Sequence, residues 1–295
     1  LVTGPFLSDL FAILVSIIFI FLSVKDKDWH YYKHPVSIIF FIWCAYLIFC
    51  SLIAKNILLS LESSLFFWRF GFFSLSVWYA ASNYPNFIKF FTYSLNASII
   101  IVLFDGYFQF FTGTNLIGNS YNGYRLSGLF GDEEILGSFL SRLLPLIIGL
   151  LIVNAVNFKF INLFSLIIFI LTSVLVFLSG ERTAFFYVLL FFVSIIFFLK
   201  SWRKIYFIAI ILSLILISII AFNNNTIKKR MIDSVLIETN ILDTESNILS
   251  FILDTESKSS NLKLNLDRPI NIFSRNHQKL YKVSFEIFKD NPILG

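Results

Sequence analysis

Ile205-Tyr-Phe-Ile-Ala-Ile-Ile-Leu-Ser-Leu-Ile-Leu-Ile-Ser-Ile-Ile-Ala-Phe222 is an uninterrupted run without a single charge, bounded by Arg203-Lys204 before it and Asn223-Asn-Asn225 after it. As a helix rising 1.5 Å per residue it is about 27 Å long, close to the thickness of a bilayer's hydrocarbon core. The run is continuous and does not alternate, so it reads as a helix and not as a strand of an outer-membrane barrel. Seven more runs of this kind lie upstream, at 6–24, 36–54, 65–81, 89–105, 135–153, 160–179 and 183–199. The expected fold class is all-α, a polytopic transmembrane helix bundle of about eight helices over residues 1–222, followed by a periplasmic loop region over 223–295.

Composition agrees. Of 295 residues, 57% are hydrophobic and 14% charged, 38 are Phe, and the mean hydropathy is +0.81. A soluble domain does not carry that balance. The net charge of +5 comes from Lys and Arg lying between apolar runs, not from a basic stripe with interleaved aromatics. Membrane orientation and lipid headgroups account for such placement, and nucleic acid is excluded as a partner. Cys44 and Cys50 fall in one run at a spacing that turns them to different helix faces, so they are expected to be unpaired. No Cys/His cluster has ligand spacing, so neither a metal nor a cofactor is expected.

Alternate connections place Lys25, Lys27, Lys33, Lys89, Lys159, Lys200, Arg203 and Lys204 on one face, against Lys55, Arg125 and Arg182 in the short connections of the other. The richer face is expected to be cytoplasmic. Leu1 is not Met and Gly295 falls in mid-pattern, so both ends are expected to be truncations, with an odd number of spans missing upstream. After Asn223 the chain becomes polar, and Ile241-Leu-Asp-Thr-Glu-Ser246 recurs eleven residues later as Ile252-Leu-Asp-Thr-Glu-Ser257. Eleven residues are close to three helical turns, so the copies are expected to share a helix face, most simply as duplicated spacer.

Two polar points on the outer face draw attention. One is the connection from Gly106 through Gln109, Gly113, Asn115 and Gly118 to Arg125-Leu-Ser-Gly128-Leu-Phe130 and Gly137. Its Gly, Asn and Ser imply turns and close backbone approach, and its aromatics Tyr107, Phe108, Phe110, Phe111, Tyr121 and Tyr124 imply folding back toward the bundle. The other is the short turn Ser179-Gly180-Glu181-Arg182-Thr183-Ala184. An arginine at a bilayer boundary is often an anchor, and Arg182 beside Glu181 could be a plain ion pair. Two arginines on one face also suit an anionic lipid, because guanidinium binds phosphate bidentately and glycines admit a diphosphate. Arg142, a turn below Gly137, is a third candidate for the same cavity, whereas Arg69 in the third span needs a partner, for which Glu62 one heptad earlier is available.

Arg125-Leu-Ser-Gly128-Leu-Phe130, then Gly137 and Pro145, then Ser179-Gly-Glu-Arg182-Thr-Ala184 after one more helix, resembles the pattern of the O-antigen ligase and polymerase family. The tail from His277-Gln-Lys-Leu-Tyr281 to Phe288-Lys-Asp-Asn-Pro292-Ile-Leu-Gly295 is similar to that family's periplasmic segment reaching a Pro-x-x-Gly turn. The resemblance covers roughly residues 105–295. It implies a metal-independent glycosyltransferase of the bacterial inner membrane that moves a glycan from a polyprenyl diphosphate carrier to a hydroxyl on lipid A core, a growing glycan or a protein. It implies Arg125 and Arg182 as catalytic residues, with Gly128, Glu181 and His277 in substrate binding, and Arg142 joins the substrate-binding candidates by its position below Gly137. The family's histidine-containing motif follows the Pro-x-x-Gly turn, and this sequence stops before it. A polytopic transporter or flippase of lipid-linked or anionic substrates is the alternative, since intramembrane arginines also mark transport paths, and a non-catalytic anchor or receptor is a further one.

Overall fold

The computed structural model describes residues 5–121, 123, 125–154, 158–198, 200–233, 242–244, 262–264 and 275–290. The chain is an all-α polytopic membrane protein. Its helices are α1 (Pro5–Lys25), α2 (His30–Lys33), α3 (Pro35–Ile53), α4 (Ile57–Leu65), α5 (Trp68–Asn83), α6 (Phe87–Thr112), α7 (Leu136–Val153), α8 (Phe158–Leu178), α9 (Arg182–Phe198), α10 (Arg203–Asn223), α11 (Asn225–Lys228) and, in the tail, α12 (Arg275–Asp290). Each of the eight expected runs is helical. Five helices, α1, α3, α6, α7 and α10, are long and apolar enough to cross a membrane, while α9 and the apolar part of α8, Leu163–Leu178, are shorter.

Two boundaries differ from expectation. The third run begins, as α5, at Trp68 and not at Leu65: Leu65 ends a separate helix, α4, which closes against α3 with the Ser51 hydroxyl donating to Ser64 Oγ at 2.9 Å. The fourth run does not stop at Asp105 but continues as α6 to Thr112, so Gly106 and Gln109, expected in the connection, are helical. A single glycine costs a helix only about 1 kcal/mol, and here it has a packing use. A Cβ on Gly106 would lie 2.7 Å from Leu175 Cδ2, so the bare backbone lets α8 approach.

Internal contacts divide the chain into two compact units, residues 1–102 with 147–161, and 103–146 with 162–295. The first is centred on Phe19, Tyr31 and Leu75, with Trp78 and Tyr79 packed around them. Tyr31 meets Trp78 edge to face at 5.0 Å, and its hydroxyl accepts from Asn83 Nδ2 at 3.1 Å. Arg69 takes Asp9 as partner, Nη1 to Oδ2 at 3.1 Å, and stands over the Phe70 ring. The expected partner Glu62 is not used, because it belongs to the separate helix α4 and is exposed. Both cysteines are free.

The second unit is built on Leu136, Leu140 and Leu144 of α7, the run Val174–Leu178 of α8, and Ala184 and Val188 of α9, all buried. Tyr206 of α10 is wholly buried, and its hydroxyl meets Ser165 Oγ at 3.2 Å. In the tail, Leu242–Thr244 (β1) pairs antiparallel with Leu262–Leu264 (β2), Asp243 opposite Lys263. The described residues of the first copy, 242–244, are therefore extended and not helical. Leu-Asp-Thr and Leu-Lys-Leu each hold a leucine next to a charge, a period of two that suits a strand. The second copy lies outside the described residues.

Candidate functional site

The connection between α6 and α7 folds back on α6 as expected, although Tyr107, Phe108, Phe110 and Phe111 belong to α6 itself and polar side chains hold the turn. Three buried side chains hold it. Asp105 Oδ1 accepts the Leu116 amide at 2.9 Å, Gln109 Oε1 accepts the Gly128 amide at 2.8 Å, and Asn115 Nδ2 donates to the Gly128 carbonyl at 2.5 Å. Asn115 also closes its own turn, its Oδ1 accepting the amides of Ile117 and Asn119 at 3.1 and 2.7 Å. Both backbone groups of Gly128 are thus satisfied by side chains, which a buried turn requires. Gly128 has φ +55°, and a Cβ there would stand 3.3 Å from Asp105 Oδ2. This residue, expected to bind substrate, is a fixed point of the loop's architecture.

Glu181 is likewise structural. It is buried, and its Oε1 accepts the Gly137 amide at 2.7 Å while its Oε2 accepts the Ser138 amide at 3.1 Å and the Ser138 hydroxyl. The first amides of a helix have no partner within it, and a carboxylate placed there is favoured by the helix dipole. Glu181 therefore caps α7 from 44 positions away in sequence. Gly137 makes this possible, since a Cβ would collide with Ser179 Oγ. Gly180, with φ +74°, reverses the chain between α8 and α9.

These two anchored segments position the arginines. Leu126 is completely buried, so Arg125 beside it sits at the edge of the loop, exposed, with Nε 3.4 Å from Glu134 Oε2. Arg182 opens α9 directly after the buried Glu181 and donates from Nε to the Arg230 carbonyl at 3.2 Å. Arg230 lies in a π-helical turn, Lys229–Asp233, that follows α10 and α11. Its pKa is lowered, first by partial burial and then by the nearby guanidinium of Arg125, with Arg182 adding to the effect, while Glu134 and Tyr121 oppose it. The Tyr121 phenol is raised by burial, with Arg230 opposing the shift. Arg125, Arg182, Glu134 and Tyr121 thus all act electrostatically on Arg230.

Arg230 was not among the residues expected to form the site. Its signal was present, because Lys228-Lys229-Arg230 follows the last apolar run, but a basic run at the start of a polar tail reads there as a loop charge. Arg142 is exposed on α7 and has no ion pair or hydrogen bond among the described residues, nor is it one of the charges acting on Arg230. His277 occupies the first turn of α12, and its side chain lies outside the described residues. Among the described residues no three His, Cys, Asp or Glu side chains are grouped to hold a metal ion.

Comparisons with protein families, with characterised proteins and with solved structures found no match.

Proposed function

We propose that the chain is a membrane-embedded glycosyltransferase of the O-antigen ligase or polymerase type in the bacterial inner membrane, and that Arg125, Arg182 and Arg230 take the diphosphate of a polyprenyl-diphosphate-linked glycan. The observation that carries this reading is the grouping of three arginines: Arg182 Nε donates to the Arg230 carbonyl at 3.2 Å, and the charges of Arg125 and Arg182 both act on the Arg230 guanidinium, whose pKa is lowered first by burial and then by them. A multiply charged anion relieves that repulsion, and guanidinium offers paired donors that match phosphate oxygens. In glycosyl transfer the bond from the anomeric carbon to the diphosphate oxygen breaks and the acceptor oxygen forms a bond to that carbon. The leaving diphosphate gains negative charge as it departs, which fixed cations stabilise, and the acceptor's proton passes to a base. Lipid A core, a growing glycan and a protein hydroxyl are the acceptors in view, and the surrounding lipids are the other partners.

The test compares the full-length wild-type protein in nanodiscs with its Arg125→Lys, Arg182→Lys and Arg230→Lys variants, measuring first the binding of a polyprenyl diphosphate and then transfer from a glycan-charged carrier, with chelator present. Lysine keeps the charge but loses the fork, so binding should weaken roughly tenfold or more and transfer fall by about two orders of magnitude, at unchanged expression. Near-normal binding and transfer by all three variants would sink the arginine site. Translocation of the carrier without any glycosidic bond formation would favour a flippase instead.

A further inference from the structure

We infer that α12 is an interfacial helix that lies along an anionic lipid surface, anchoring the tail to the bilayer outside the spans. The helix runs Arg275-Asn-His-Gln-Lys-Leu-Tyr-Lys-Val-Ser-Phe-Glu-Ile-Phe-Lys-Asp290. At 100° per residue, Leu280, Val283 and Ile287 fall on one side, with Tyr281 and Phe288 beside them, while Lys282, Glu286 and Lys289 fall on the other. Leu280, Val283, Ile287 and Phe288 are 63%, 52%, 51% and 56% exposed, so this apolar stripe is largely uncovered by the described residues.

Lipid is the occupant that fits. The chain crosses a membrane, so a bilayer is at hand wherever the protein resides. Sixteen residues make a helix of about 24 Å, too short to span, and its central turns carry charges, so it cannot be a further crossing. Its sequence holds Arg275, Lys279, Lys282 and Lys289 against Glu286 and Asp290, a basic excess that complements anionic headgroups. Tyr281, Phe285 and Phe288 are side chains of the kind that settle at headgroup depth. Lys289 stands with its ammonium 4.8 Å from the Phe285 ring centre, shielding the one aromatic turned toward the polar flank. A soluble partner would have to supply both a groove for the stripe and acidic groups along its rims, whereas a bilayer surface offers both along any line.

The experiment uses the whole chain, carrying Cys44→Ser and Cys50→Ser, in nanodiscs of phosphatidylcholine with about one-third phosphatidylglycerol. A bimane label is attached in turn to Leu280→Cys, Ile287→Cys, Lys282→Cys and Glu286→Cys, and quenching by doxyl-labelled phosphatidylcholine is recorded. Quenching at residues 280 and 287 should exceed that at 282 and 286 by roughly twofold or more, because an interfacial helix buries only one face. The paired change Lys282→Glu with Lys289→Glu should reduce the difference, as should omission of phosphatidylglycerol. Equal quenching at the four positions would overturn the inference. So would labels at 280 and 287 that are shielded from water yet insensitive to doxyl lipid, which would mean that a second copy or a protein partner covers the stripe. If the cysteine-free background does not fold, amide hydrogen exchange of the unaltered chain decides: residues 280–289 should exchange more slowly in nanodiscs containing phosphatidylglycerol, and an unchanged rate counts against the helix.

Discussion

The two compact units use their polar side chains differently. In the first, serines and threonines mostly bond the carbonyl one turn back on their own helix, as Ser16 does to Ala12 and Thr92 to Ile88. Its links across larger separations join side chain to side chain: Asn83 to Tyr31, Asn154 to Thr92, Arg69 to Asp9. In the second unit the distant links chiefly clamp backbone. Gln109 and Asn115 hold Gly128, Asp105 holds Leu116, Glu181 holds Gly137 and Ser138, and Arg182 holds the carbonyl of Arg230. Side-chain pairs fix how helices lean on one another, whereas clamps on loop backbone and on helical turns at element ends fix where the residues beside them stand. A site built from loop arginines needs the second kind.

The sharpest way to break this contrast is Glu181→Ala. It removes the acceptors of one buried amide, one part-buried amide and one hydroxyl at the start of α7, and buried donors left without a partner cost most of their desolvation energy. The expected loss is about 3 kcal/mol, read as a lowered midpoint in a reversible denaturation series in detergent, with Glu181→Gln recovering part of it. An Ala variant as stable as wild type would mean that water or another group replaces the carboxylate and that the clamp is dispensable.

A smaller effect is expected at Gly128. Alanine there adopts a left-handed backbone, at a cost of about 1–2 kcal/mol, and brings its Cβ to 3.3 Å from Asp105 Oδ2 and 3.4 Å from Leu136 Cδ1. Because Arg125 lies three residues away on the same clamped segment, diphosphate binding should weaken along with stability. Full binding with reduced stability would separate the loop's architecture from the arginine site.

The eight helical runs were legible in the sequence because bilayer thickness imposes a simple length on apolar segments; the folding-back of the connection was expected from aromatics, most of which lie in α6, whereas buried Asp105, Gln109 and Asn115 hold it. The extension of α6 to Thr112 was not legible. Gly106 and Gln109 look like loop residues until Leu175 is seen against the one and the Gly128 amide against the other. Glu181 sits beside Arg182 in sequence and invites an ion pair, yet the amides that claim its carboxylate belong to Gly137 and Ser138. Local periodicity holds no record of a partner 44 residues away. The same holds for Arg230, whose place beside Arg182 depends on how the chain turns after α10.

The smallest effect is expected at the ion pair of the first unit, and it measures how far the contrast extends. Asp9 and Arg69 are 44% and 24% exposed, and the guanidinium also rests 4.9 Å over the Phe70 ring. Half-exposed charges in contact with water interact weakly, because solvent screens them and ordering long side chains opposes the gain. In a double-mutant cycle of Asp9→Asn and Arg69→Gln, measured in detergent, the coupling should therefore be about 1 kcal/mol or less. Arg69→Gln alone should cost somewhat more than Asp9→Asn, because it also removes the contact with the ring. The bilayer gives this prediction its edge. If lipid rather than water surrounds the pair, its attraction is screened far less and breaking one partner strands a charge in a medium of low polarity. A coupling several-fold larger in nanodiscs than in detergent would place the pair in lipid, and would make the first unit's side-chain links as decisive for its fold as the backbone clamps are for the second.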